Sequence, residues 1–291
     1  MGDNVCDIYM SSNQMYPGGQ ALNVAVYAKQ LGVDSGYVGV FGNDGIAAHI
    51  LHTLKTLSVD HTYCQQHEGE NGYALVKIVN GDRVFVRSNR GGVAKEFPIN
   101  LTKIDDDYLR RFDLIHTSNN SYFNDRLPII KELGIPLSYD FSNFWDNWHI
   151  TEQLCPFIDF GFLSCSSMTN EAVIEVCKKV HNLGCKIVIA TMGDKGAWLF
   201  DGESPIFQEA RKVEAVDTLG AGDSFIASFL VNYFDYKKTN DVLIDDKVKR
   251  ETIYQNSLDK AAKFAAKNCL VEGAFGFGVD VPKPLRNQLK I

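Results

Sequence analysis

The sequence predicts an α/β fold, a three-layer α/β/α sandwich with a mostly parallel central sheet and a small β-sheet lid, all in one domain spanning residues 1–291. Three observations predict it. From Asp113 onward, short apolar runs alternate with stretches whose apolar residues recur at helical spacing, the pattern of βα units. Residues 73–95 break that rhythm with two alternating strands around Asn80-Gly81, a hairpin that lies outside the layers. Near the C-terminus a tight turn, Gly220-Ala221-Gly222, opens directly into a helical pattern through Phe225, Ile226, Phe229, Leu230 and Tyr233.

The elements follow in order. Gly18-Gly19 leads into a helix whose apolar face is Leu22, Ala25, Val26 and Leu31, with Gly32 as its stop. Val33 to Phe41 reads as a strand, and Gly42-Asn43-Asp44-Gly45 as the turn into a helix reaching about Leu57. Tyr73–Val79 and Arg83–Arg87 form the hairpin; with a strand pair near Tyr9–Tyr16 they build the lid, about 9–18 and 72–95. Leu114–His116 is a strand, Leu127–Leu133 lies in a helix ended by Gly134, and Ile135–Phe141 is a strand that delivers Asp140 at its carboxyl end. The aromatic and polar loop Ser142–Trp148 comes next. Then Asp159–Leu163 (strand), Thr169–Leu183 (helix) and Cys185–Ala190 (strand) lead into a glycine turn, Thr191 to Ala197. Tyr236–Asp246 is polar, lid-like or linker-like, and Asp259–Leu270 is a helix with a thin surface of Ala261, Ala262, Ala265, Ala266 and Cys269.

Composition narrows the function. With 36 acidic against 29 basic residues and a formal charge of −7, nothing points to nucleic acid as a partner. No run is long enough to span a bilayer, and no basic-then-apolar leader opens the chain, so no membrane role is expected. The seven cysteines form no Cys-x-x-Cys pair and read as reduced core thiols, which implies a cytoplasmic protein. The histidines show no metal spacing.

The chemistry concentrates at Asp217-Thr218-Leu219-Gly220-Ala221-Gly222-Asp223. The N–H groups of Gly220, Ala221 and Gly222 crowd a helix start without intrahelical acceptors, a pocket for a phosphoryl group. Asp223, in the first turn, either takes a proton from a substrate hydroxyl or is a dipole-stabilised first-turn acid; the local pattern fits both. At the other end of the chain, Gly18 and Gly19 let a ligand lie against backbone, and Asn23 can donate to and accept from its hydroxyls.

Asp-Thr-Leu-Gly-Ala-Gly-Asp-Ser-Phe, ending at Phe225, resembles the C-terminal signature of the ribokinase-like (PfkB) carbohydrate kinases, and Gly18-Gly19 with Asn23 resembles their N-terminal one, about 200 residues earlier. The resemblance runs over the whole chain. It implies an ATP-dependent kinase with Asp223 as general base and Gly220–Gly222 as the anion hole. It also implies a small sugar held by Asp7, Gly19 and Asn23, with Gly18 beside them. ATP and Mg²⁺ are the implied cofactors. ATP would lie along Thr191, Gly193 and Gly196, with Ala265 at the adenine and Asn268 reaching its edge. Glu171 would hold magnesium through water, although Met168 stands where the family has Asn, and adjacent Asn170 replaces it only if the turn shifts. A potassium loop would fall around Asp217–Thr218 and Val271–Gly276. Met1–Tyr9 resembles the end of the family's first central strand and the turn after it, so the start is expected to be shortened, with a few more residues in the natural chain. The lid suggests a homodimer by resemblance, though its apolar alternation fits packing onto its own domain equally.

Three pieces, 2–9, 16–25 and 140–146, resemble the fructoselysine 6-kinases. They imply phosphorylation of the 6-hydroxyl of fructoselysine or a related fructosamine. An acidic, aromatic mouth suits such a sugar-amine: Asp140 or Asp146 can pair with ammonium, and Trp145 can cover a methylene chain. Arg83, Arg87 and Arg90, on or just beyond the lid hairpin, could contact an anionic substrate group or simply charge an exposed strand edge. A kinase for free fructose or another small sugar is the alternative, followed by a nucleoside kinase and by a non-catalytic sugar-binding protein.

Overall fold

The structure, a computed structural model, describes residues 1–79, 82–239 and 246–291, with side chains left out also at 78–79, 82–83 and 239. The predicted Asn80-Gly81 turn, the Arg83 side chain and most of the polar stretch 236–246 therefore lie outside the described residues.

The main sheet is built from β7 (Ile115–Ser118), β8 (Leu137–Ser142), β9 (Phe160–Ser164), β10 (Ile187–Thr191), β11 (Ala197–Phe200) and β12 (Ile206–Gln208). They lie side by side in the reverse of chain order, β12 at one edge and β7 at the other. β7 to β10 are parallel and the last two antiparallel. Side chains along β10 alternate between two cores: Ile187 and Ile189 pack with the helices Gln20–Gln30, Ala221–Thr239 and Lys247–Asn268, while Val188 and Ala190 pack with Leu127–Glu132 and Asn170–Asn182. Helices thus cover both faces, which is why these strands read as continuous apolar runs. Five of the seven cysteines are buried.

The lid is a second sheet. It contains β1 (Val5–Tyr9), β2 (Gln14–Gly18), β5 (Gly72–Val79), β6 (Asp82–Ser88) and β13 (Val279–Asp280), in the order β13-β2-β1-β5-β6. β1 is its middle strand, antiparallel to β2 and parallel to β5. The lid therefore starts at Val5, earlier than the pattern predicted. It also ends at Ser88, because Val93–Glu96 is a helical turn.

The predicted strand Val33–Phe41 is mostly irregular. Only β3 (Val40–Phe41) is regular, beside β4 (Gln65–Gln66). Met1–Asn4 runs between this stretch and β7, in the position of a sheet strand without forming one: the Met1 ammonium donates to the His116 carbonyl (2.7 Å) and Gly2 N–H to the Val38 carbonyl (2.9 Å). Beside Met1 lies a cleft of about 760 Å³ lined in part by Val24, Ala25, Phe112, Leu114 and Leu230. Among the described residues no helix is long and apolar enough to cross a membrane.

Candidate active site

The helix Ala221–Thr239 starts directly after Gly220, whose φ of 71° is left-handed. A Cβ at Gly220 would fall 2.3 Å from the Tyr27 hydroxyl and 3.0 Å from Ala274 Cβ, so both the turn and its packing require glycine. The N–H groups of Gly220 and Gly222 have no protein acceptor among the described residues, and open space lies where a Gly222 Cβ would point. Ala221 differs from the expectation: its N–H turns back to the Thr218 carbonyl at 3.3 Å, a long bond, leaving two of the three amides fully available. Such a helix end attracts an anion.

Asp223 lies one residue further on, half-buried. Its Oδ2 accepts a hydrogen bond from Asn23 Nδ2 (2.6 Å), across the packing of the helix Gln20–Gln30 on the helix Ala221–Thr239. Asn23 Oδ1 is buried and has no hydrogen-bond partner among the described residues. Burial, and after it the charge of Asp140, hold the Asp223 carboxyl well above the usual carboxylate range, while the Asn23 amide pulls it down. Asp223 and the Asn23 oxygen can each accept a hydrogen bond from a hydroxyl placed between them.

Asp140 leaves the sheet where the β8–β9 register slips between Asp140 and Ser142, with Ser142 at φ 52°. Its carboxylate accepts from Ser142 N–H (2.7 Å) and from Gln20 Nε2, and burial pushes its pKa up to about 7 against those bonds. Gln20 in turn accepts from Asn120 Nδ2 at 2.8 Å. Asp7, buried in β1, lies against Gly18, where a Cβ would fall 2.6 Å from Asp7 Oδ2. Gly19 (φ 117°) precedes the helix, with Asp3 O at 2.8 Å from any added Cβ. Asp3 caps that helix, its two oxygens accepting from Gln20 and Ala21 N–H and from the Ser118 and Ser121 hydroxyls. Asp3, Gln20 and Asn120 were not singled out in the sequence. Gln20 stood visible as the first polar residue after Gly-Gly; Asp3 caps a helix 17 residues away, so no local pattern marks it.

On the opposite side, Thr191 ends β10 and donates to the Leu163 carbonyl (3.2 Å). Gly193 (φ 62°) and Gly196 (φ 129°) form the turn; a Cβ at Gly196 would lie 2.2 Å from the Gln208 carbonyl, so β12 fixes its identity. Ala265 is half-buried on the helix Lys247–Asn268. Glu171, exposed in the first turn of Asn170–Asn182, is held below the ordinary range by its own backbone N–H and the Thr169 hydroxyl, and so stands ionised.

Several expectations are corrected. Asn268 is not turned to an adenine edge: it is buried and donates to the Leu219 carbonyl (3.2 Å), pinning the turn before Gly220. The Arg87 guanidinium is bound by the Leu289 carbonyl (3.1 Å), and no hydrogen bond or ion pair among the described residues ties it to Asp7, Asn23, Asp140 or Asp223. Asn170 Oδ1 accepts from Trp198 Nε1 (3.0 Å). Trp145 donates its indole N–H to Ser164 O (2.9 Å) and packs into the core, so the exposed aromatic of that loop is Phe144. The Asp217 carboxylate accepts from Tyr9 OH (2.6 Å), Leu219 N–H (2.9 Å) and Gly273 N–H (2.9 Å).

A carboxylate and a bare helix end, at the rim of an α/β/α sandwich under a β lid, define a phosphotransferase with an alcohol as acceptor. The chain belongs to the pfkB family of carbohydrate kinases, whose profile matches residues 3–131 and 160–274. It is an ATP-dependent kinase acting on a hydroxyl of a sugar or amino-sugar. It is 40% identical over 279 residues to fructosamine kinase FrlD of Bacillus subtilis (strain 168), covering 96% of this chain and 92% of that one. It is 32% identical over 233 residues to fructoselysine 6-kinase of Escherichia coli (strain K12), covering 80% and 87%. Among solved structures, ribokinase of Arabidopsis thaliana, complexed with ribose and ATP, shares the fold at a TM-score of 0.74 and 23% identity, over 100% of this chain and 97% of that one.

Proposed function

We propose that this kinase transfers the terminal phosphoryl group of ATP to the 6-hydroxyl of fructoselysine or a related fructosamine. The observation that carries the reading is Asp140: a buried carboxylate whose charge reaches Asp223, held by two hydrogen bonds, with no cationic partner among the described residues. A fructosamine brings the missing cation, because its first carbon carries an ammonium. The likeness to relatives named fructosamine kinase and fructoselysine 6-kinase supports the same choice. Asp7, Gly18, Gly19 and Asn23 line the sugar. Phe144, 60% exposed, replaces Trp145 as the cover for a lysine chain.

Asp223 accepts the proton of the attacking hydroxyl as its oxygen bonds to phosphorus and the bond to ADP breaks. The Gly220 and Gly222 N–H groups stabilise the charge gathering on the transferring group. Thr191, Gly193, Gly196 and Ala265 flank the nucleotide. Glu171, exposed and ionised, fits a magnesium ion held through water, which would neutralise phosphate charge. A monovalent cation would rest on backbone carbonyls of the loops at 217–218 and 271–276, since the Asp217 oxygens already carry donors.

A homodimer through the lid is supported by β6, where Val84, Phe85 and Val86 are exposed in succession on an edge strand (46, 62 and 48%). An ADP-release assay over fructoselysine, free fructose, ribose and nucleosides tests the substrate. Fructoselysine should give the largest kcat/KM, and a large preference for free fructose would overturn the choice.

A further inference from the structure

We infer that Tyr9 is a positioning residue that links the sugar lid to the phosphate-binding turn through Asp217. This rests on the proposed roles of Asp7 and of the Gly220–Gly222 turn. Asp217 is buried, and its carboxylate joins three segments distant in sequence: the phosphate turn through Leu219 N–H, the returning loop through Gly273 N–H, and the lid through the Tyr9 hydroxyl. Leu219 is the residue before Gly220, and its carbonyl is held from the other side by Asn268. Tyr9 ends β1, and Asp7 lies two residues earlier on the same strand, so both side chains leave the same face. One face of one short strand therefore carries a sugar-binding acid and a hydroxyl that grips the phosphate turn.

A second tyrosine reinforces the tie. The Tyr16 ring packs edge-on against Tyr9 (centroids 5.2 Å apart), and its hydroxyl donates to Glu272 (2.8 Å). That ring is wedged between Gly273 and Gly278, where an added Cβ would lie 2.5 and 2.4 Å from it. The loop whose N–H holds Asp217 is thus clamped to the same hairpin, and β13 is paired to β2 just beyond it. When sugar draws Asp7 inward, Tyr9 cannot move without carrying Asp217, and Asp217 cannot move without carrying Leu219 and the amides that follow. Sugar occupancy is transmitted to the phosphate site chiefly through the Tyr9–Asp217 hydrogen bond.

Tyr9→Phe removes that bond and keeps the ring against Tyr16 and Val76. The measurement is calorimetric binding of a nonhydrolysable ATP analogue with and without the sugar that supports ADP release, beside kcat and KM. The wild-type protein should bind the analogue more tightly with sugar present. Tyr9→Phe should bind it without sugar within about twofold of wild type, lose the sugar-induced tightening, and lose about tenfold in kcat at nearly unchanged sugar KM, the scale of one hydrogen bond to a charged group. Asp217→Asn, which keeps the volume but weakens the same acceptor, should reproduce that loss, and Tyr16→Phe should not. Tightening and kcat retained in Tyr9→Phe, or no tightening in the wild type, overturns the link. Failure of the wild type to release ADP with any sugar would instead overturn the proposed function.

Discussion

Asp140→Asn tests the electrostatics of the sugar site, because stability and activity should move in opposite directions. Burial moves this carboxyl from its ordinary 3.8 to about 7, which corresponds to about 4 kcal/mol against the charged form once the pH is well above 7. The sign follows from linkage. The folded chain holds a proton that the unfolded chain has lost between about pH 4 and pH 7, so stability falls as pH rises through that window. Asparagine carries no charge to bury. Its Oδ1 keeps the Ser142 bond, while Gln20 must turn its amide over, costing about 1 kcal/mol. About 3 kcal/mol of added stability should remain at pH 8 and under about 1 kcal/mol at pH 5. Urea unfolding at the two pH values measures this. kcat/KM for fructoselysine should fall by about 10²-fold, the range for truncating one side of a buried charge pair, and that for free fructose much less. A variant no more stable than the parent at pH 8, or one that loses both substrates equally, would refute the reasoning.

Further outcomes concern the glycines that shape the two subsites. Gly220→Ala should destabilise the protein by about 2–4 kcal/mol, from left-handed strain together with overlap on the Tyr27 hydroxyl. Pairing it with Tyr27→Phe should return about 1 kcal/mol or more relative to the sum of the single variants, as chemical denaturation will show; strict additivity would mean that the two groups do not collide. Gly196→Ala forces a methyl group onto the Gln208 carbonyl, so β12 must shift; the ATP KM should rise several-fold while the sugar KM stays put in initial-rate kinetics.

The βα alternation was readable from sequence because strands covered on both faces are uniformly apolar, and the helices between them keep one periodic stripe. The glycine turn opening the helix Ala221–Thr239 was readable for a similar reason: two glycines and an acid at a helix start are a local pattern. What escaped depends on distance. The Asn23–Asp223 bond spans 200 residues, and the protein partners of Asn268 and Asp217, which are Leu219, Tyr9 and Gly273, are brought to them only by folding. Trp145 and Arg87 show a related limit. Their type announces capacity for a ligand, but Ser164 and Leu289 supply carbonyls that take it first. The irregular course of Val33–Phe41 also lay beyond sequence pattern, since contacts such as Gly2 N–H to the Val38 carbonyl form only on folding.

The most direct measurement is single-turnover phosphoryl transfer by Asp223→Asn, with binding of a nonhydrolysable ATP analogue recorded on the same preparation. With the proton acceptor gone and the helix-end amides intact, transfer should slow by about 10²–10⁴-fold while the analogue binds within about threefold of wild type. Transfer within about tenfold of wild type would show that another group, or none, takes the hydroxyl proton.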